Sequence, residues 1–143
     1  MIRKMRKEDL PKAARLDALC FKDSWTLEDF EKDFNENPFF NGTVVEEDGK
    51  VLGYATFWTT FENAQLVRIG VDPDHRHQGL GGHLLNECQE MAKEAGCELF
   101  SLDVRAGNAA ARTLYEHNGL HQLHVSKGYY PDGEDAIVMA KGL

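Results

Sequence analysis

Basic residues are outnumbered, cysteine is scarce and unpaired, and no apolar run approaches the length of a membrane helix. Each shortage excludes something. With 16 Lys and Arg against 24 Asp and Glu, the 143-residue chain carries a formal charge of -8. That balance opposes a phosphate backbone and argues against nucleic acid as the main partner. It suits a cationic partner, although solubility alone accounts for an acidic surface. Cys20, Cys88 and Cys97 form no CxxC pair and are odd in number. They read as small core residues, not as disulfides or ligands, and no metal is expected. A membrane helix needs about 20 apolar residues in a row, and Met1 to Met5 lacks the apolar stretch of a secretory leader. A cytoplasmic protein without membrane association is the expectation. Repeats, linkers and low-complexity segments are absent, so residues 1–143 are expected to form a single domain, a monomer or weak dimer.

What is present centres on one stretch, Val71-Asp72-Pro73-Asp74-His75-Arg76-His77-Gln78-Gly79-Leu80-Gly81-Gly82. Ahead of it Leu66, Val67, Ile69 and Val71 read as a buried strand, stopped by Asp72-Pro73 because proline cannot donate to a ladder. Behind it Leu80, Leu84, Leu85, Cys88, Met91, Ala92 and Ala95 recur at helical spacing up to Gly96, the position of a left-handed cap. Gly79, Gly81 and Gly82 remove β-carbons where a ligand would approach and leave the first N–H groups of the helix free. A strand, a glycine turn and a helix N-terminus make an anion site suited to a diphosphate. The Gly-Lys-Ser/Thr ending of a P-loop is missing, as is the dinucleotide fingerprint with its distant acid. The pattern that stands here is Arg76-x-x-Gly79-x-Gly81, and glycines that merely make the turn would explain it as well.

The remaining elements follow in order. Ile2 to Met5 is a short strand, and Glu8-Asp9-Leu10-Pro11 opens a helix. Thr26 and Asp29, at capping-box spacing, open a second helix with Leu27, Phe30 and Phe34 on one face. Thr43 to Glu46 and Val51 to Trp58 are strands joined through Asp48-Gly49, a hairpin signal. Gln65 to Asp72 is the strand before the anion loop. Leu99 to Arg105 is a fifth strand, with Phe100, Leu102 and Val104 on one face and Ser101, Asp103 and Arg105 on the other. Asn108 is placed to cap a helix that ends at Asn118-Gly119. Leu120 to Val125 and Ala136 to Ala140 are the last strands. The order βααβββαβαββ predicts an α/β sandwich with a mixed sheet.

Arg76-x-x-Gly79-x-Gly81 after a fourth strand resembles the acetyl-coenzyme A signature of the GNAT N-acetyltransferases, and the element order is similar to theirs. Leu102 to Ala111 with Leu114-Tyr115-Glu116 and Gly119 resembles that family's fifth strand and following helix. Ser24-Trp25-Thr26 resembles a bend found in one subgroup. Gly128-Tyr129-Tyr130-Pro131, Glu134-Asp135-Ala136 and Met139 look like the carboxyl-terminal signature of the RimI group, whose members acetylate the amino-terminal alanine of a small-subunit ribosomal protein. The resemblance covers nearly the whole chain and is weakest between residues 30 and 65. It implies the GNAT fold: a mixed central sheet with a splay between strands 4 and 5 and helices on both faces. It also implies acetyl-CoA as cosubstrate and a ribosomal-protein terminus as partner.

By that resemblance Ile69, Gly70 and Val71 would bond the pantetheine arm, Arg76, His77, Gln78, Gly79, Leu80, Gly81 and Gly82 would wrap the pyrophosphate, and Asn108 would lie near the thiol. Tyr115 would be the general acid, and Asp103 stands where the subgroup has a glutamate base. Trp25 and the loop from Tyr129 and Tyr130 to Glu134 would wall a peptide groove. The chemistry suits these residue types. An α-amine of pKa about 7.7 to 8.0 must lose a proton to attack a thioester. A phenol, protonated at neutral pH, can protonate the departing thiolate. Asp103 is one methylene shorter than the expected glutamate, so it could act through a water or only attract the amine, and pairing with Arg105 would make it structural. Gln65, where many members carry a glutamate, cannot take a proton. Two other readings stay open here: a small-molecule amine acetyltransferase, and a non-catalytic acetyl-CoA-binding regulator.

Overall fold

The computed structural model describes residues 1–143. Seven strands, β1 (Ile2–Lys4), β2 (Phe40–Glu47), β3 (Lys50–Thr60), β4 (Asn63–Val71), β5 (Leu99–Arg105), β6 (His121–Ser126) and β7 (Ala136–Gly142), alternate with four helices, α1 (Leu10–Cys20), α2 (Leu27–Glu36), α3 (Leu80–Glu94) and α4 (Ala109–His117). The expected element order holds throughout. The strands form one mixed sheet in the order β1-β2-β3-β4-β5-β7-β6. All neighbours are antiparallel except β4 and β5, which run parallel.

Local signals set most boundaries. Thr26 Oγ1 accepts from the Asp29 N–H while the Asp29 carboxylate accepts from the Thr26 N–H, a closed capping box at the start of α2. Asn108 accepts from the Ala111 N–H and caps α4. Asp48 and Gly49 both have positive φ, 52° and 77°, as a type I′ hairpin turn requires. One hairpin carried no such signal. β3 and β4 turn through Phe61 and Glu62, with Phe61 held at φ 54°, and both strands reach further into this turn than their apolar runs suggest.

Two cores cover the two faces. Leu84, Leu85, Cys88 and Ala92 of α3 pack with Phe100, Leu102, Val104 and Tyr115 in the larger. Leu10, Ala13 and Leu16 of α1 and Phe30 of α2 pack with Val44, Val51 and Tyr54 in the smaller. Helices therefore lie on both sides of the sheet. Cys88 and Cys97 are buried in or against the core, as expected, whereas Cys20 at the end of α1 is only half-buried and lies outside both cores; all three are free thiols. No helix is long and apolar enough to cross a membrane.

The β4–β5 ladder is short. Only Asn63, Ala64 and Gln65 pair with Leu99, Phe100 and Ser101. Beyond Gln65 the strands part, and the β5-facing edge of β4 stays open to Val71. A bulge lies at the start of the gap: Thr56 pairs with Arg68 but Phe57 with Leu66, so Val67 is an extra residue. Strict alternation would put Leu66 and Arg68 on one face. The bulge sends Leu66 into the α3 core and Arg68 to the α1 face.

Candidate active site

Two cavities open on the gap and meet at Cys20, Phe21, Ile69 and Asn108. The smaller, about 450 Å³, runs from Ile69, Gly70 and Val71 to Arg76, His77 and the Gly79 to Gly82 turn. Gly79 adopts φ 78°, which an L side chain rarely takes. From Arg76 to Gly82, seven consecutive backbone N–H groups find no acceptor within the protein, the first α3 amide to do so being that of His83, bonded to the Gly79 carbonyl. A run of free N–H groups at the positive end of a helix is a cradle for phosphate. Of the residues expected there from sequence, all but Gln78 line this cavity, and His75, Ala110, Ala111 and Leu114 line it in addition.

The larger cavity, about 690 Å³, lies on the α1 side of the gap. Its walls are the α1–α2 bend from Cys20 to Asp23, the β4 residues Gln65 to Ile69, Asp103 to Arg105 of β5, and Tyr129 to Pro131 of the β6–β7 loop. Asp103 points here because Phe100, Leu102 and Val104 occupy the opposite, core face of β5. It is exposed and takes part in no hydrogen bond or ion pair; Arg105 bonds instead to Asp23, Asp132 and Glu134. Of its alternatives, structural pairing with Arg105 is thereby removed.

Tyr115 lines neither cavity. It is 6% exposed and belongs to the core beneath them. Burial and the neighbouring Tyr130 push its phenol above the ordinary tyrosine range, against a smaller opposite effect of Arg68. The hydroxyl therefore keeps its proton at neutral pH. It makes no hydrogen bond to protein, and its oxygen is not wholly enclosed.

Of the four expected groove residues, Tyr129 and Tyr130 line the cavity, packed edge to face at 5.1 Å. Glu134 is turned away: its carboxylate takes bonds from Arg105 and from the Gly107 N–H, 2.9 Å each, and these hold it below the usual carboxylate range. Trp25 packs on Phe30 at 5.3 Å and supports a residue that sequence reasoning missed. Arg68 lies over the rings of Phe21 and Trp25, at 4.6 and 5.7 Å, and grips Asp17 through Nη2 at 2.6 Å and Nε at 3.1 Å. Asp17 is fully buried and also takes the Tyr54 hydroxyl and the Trp25 N–H. An acid on the apolar face of α1 and an arginine inside an apolar strand were the available signals.

Residues 7–120 match the model of the acetyltransferase (GNAT) family. A Bacillus subtilis relative, named provisionally as a [ribosomal protein bS18]-alanine N-acetyltransferase, is 36% identical over 96% of this chain and 92% of its own. The Escherichia coli (strain K12) enzyme of that name is 34% identical over 97% and 95%. The crystal structure of the ribosomal-protein-S18-alanine N-acetyltransferase from Escherichia coli superposes with a TM-score of 0.90 at 33% identity, covering 99% of this chain and 92% of that one. Chaetomium thermophilum Naa20 in complex with a bisubstrate analogue gives a TM-score of 0.86 at 25% identity, over 100% and 86%. With the splayed sheet, the glycine cradle and these likenesses together, the chain belongs to the GNAT acetyltransferase family.

Proposed function

We propose that this protein transfers the acetyl group of acetyl-CoA to the α-amine of an amino-terminal alanine on a small-subunit ribosomal protein of the bS18 type. The observation that carries the reading is the meeting of two cavities at the open β4–β5 gap, one ending in seven free N–H groups and the other holding an unpaired carboxylate, Asp103. The names of the relatives supply the acceptor.

The residues present fit the cosubstrate. The cradle from Arg76 to Gly82 would take its pyrophosphate, and the open edge of Ile69, Gly70 and Val71 would bond the pantetheine amides as another strand would. When bound, acetyl-CoA supplies an activated thioester. Asp103 takes the proton that an α-ammonium must lose before it can attack, directly or through one water. Tyr115, whose hydroxyl has no partner in the protein, donates a proton to the leaving sulfur. Backbone N–H groups on the open stretch of β4 stabilise negative charge on the thioester oxygen. The tyrosines at 129 and 130 form the far wall of the acceptor groove.

A mass-spectrometric assay tests this with acetyl-CoA and three acceptors: a peptide copy of a bS18 amino terminus, the same peptide with its α-amine blocked, and a polyamine. One added acetyl group on the free peptide alone is the expected result. Transfer to the polyamine in preference, or to none of the three, would overturn the proposal.

A further inference from the structure

Arg68 and Asp103 face each other across the splay. In the parallel ladder Gln65 stands beside Ser101; two residues on along β5 is Asp103, and the bulge at Val67 makes its counterpart on β4 Arg68. Both side chains emerge on the α1 face, in the wall of the larger cavity. They form no ion pair with each other. Asp17 occupies one edge of the Arg68 guanidinium, Nε and Nη2. The third nitrogen, Nη1, has no partner in the protein and is not among the buried unpartnered atoms. It is a charged donor open to the cavity, fixed from behind by a carboxylate and from the sides by two aromatic rings.

A free donor and a free acceptor on opposite banks suit a ligand that carries the converse pair. An α-amino amide is such a ligand: its amine and its first carbonyl oxygen lie about 3 Å apart by covalent geometry. A lysine ε-amine or a polyamine has no carbonyl beside the amine. We infer that Arg68 recognises the acceptor, its Nη1 donating to the carbonyl of the acceptor's first residue while Asp103 engages the amine, so that the groove selects an α-amine over a side-chain or polyamine nitrogen. The fixed orientation lowers the ordering cost of that bond. Asp17 is the positioning residue. The inference rests on acetyl transfer to an α-amine and adds the group that reads it.

Binding measured without turnover separates the two ideas. Protein saturated with CoA, which cannot acetylate, is titrated with an alanine-initiated peptide and with the same peptide whose first amide is replaced by a trans alkene. One charged hydrogen bond predicts that the natural peptide binds about tenfold to a hundredfold more tightly. In the paired variant Arg68→Met with Asp17→Asn, which leaves no uncompensated buried charge, the two ligands should bind within about threefold of each other. Arg68→Lys keeps a cation beside Asp17 and loses the fork, so the ratio should fall there too, and it serves if the paired variant does not fold. An unchanged ratio in the variants, a wild-type ratio within about threefold, or no binding of either peptide would overturn the role of Arg68. Discrimination without acetyl transfer in a parallel assay would instead sink the proposed reaction and leave the recognition standing.

Discussion

A carboxylate that is to remove a proton from an ammonium has to be reachable and unengaged. Asp103 meets these conditions, since the nearby Arg105 is spent on three other acids. The variant Asp103→Asn should lose about a hundredfold or more in kcat/KM at pH 7. Above the ordinary α-amine pKa of about 8 the acceptor is neutral without help, and the deficit should shrink. A deficit that stays constant from pH 7 to pH 9.5 would assign Asp103 to binding, not to proton removal. Tyr115 allows a clean companion variant, because its hydroxyl has no protein partner to strand. Tyr115→Phe should fold and bind acetyl-CoA as the wild type does while turnover drops about tenfold or more, checked by thermal melting, calorimetry and single-turnover kinetics. The period of two in β5 gave the face on which Asp103 lies, whereas the roles proposed for Asp103 and Tyr115 rest on the resemblance to the family's fifth strand and following helix. Arg68 was not legible in the sequence, because its partner is fifty-one residues away and its direction is set by a bulge.

Elements obeyed their local chemistry wherever one residue decides the outcome. Thr26 with Asp29, Asn108, Gly96 and Gly119 all sit at helix ends as read, the two glycines at φ 91° and 90°. What escaped was set by contacts between elements. The Phe61–Glu62 turn has no glycine or asparagine to announce it, and the bulge at Val67 shows only in the register of β4 against β3. The same tertiary logic explains a glycine inside β4. A β-carbon on Gly70 would lie 2.7 to 2.8 Å from the Tyr54 ring and hydroxyl. Tyr54 cannot retreat, being fully buried and bonded to Asp17. Gly70→Ala should therefore cost about 1–3 kcal/mol by overpacking, read as a lower denaturation midpoint at unchanged slope. Loss of stability below about 0.5 kcal/mol would show that α1 can lift from the sheet, and that the seat of Arg68 is softer than its bonds imply.

The larger cavity, proposed above to take the acceptor, belongs to the whole molecule, since its walls come from the α1–α2 bend, β4, β5 and the β6–β7 loop. Exposed ion pairs join the bend, β5 and the loop. Lys22 reaches Asp132 at 3.1 Å, and Arg105 bonds Asp23, Asp132 and Glu134 while stacking on Tyr130 at 4.0 Å. The Glu134 N–H, then Lys22, and after them Arg105, bring the Asp132 carboxyl down to about 2, while bonds from Arg105 and the Gly107 N–H lower Glu134. At the far edge of the sheet, burial raises Asp9, but the Arg3 guanidinium and the Arg6 N–H outweigh it and leave it low. In the unfolded chain such groups titrate near 3.9 to 4.3. As pH falls from about 5, the unfolded state therefore takes up protons before the folded state does, and stability is lost progressively toward pH 2. The melting temperature should fall steeply over that interval and stay nearly flat just above it. Asp132→Asn removes one depressed carboxyl, so its melting temperature should fall less between pH 5 and pH 2 than that of the wild type. Salt near 0.5 M screens exposed pairs and should reduce that difference. Equal slopes for variant and wild type at low salt would mean that the bridge contributes nothing to holding the groove walls together, leaving the loop's own turn, with Gly133 at φ 90° and the Tyr130 N–H bonded to the Glu134 carbonyl, as what shapes the acceptor side.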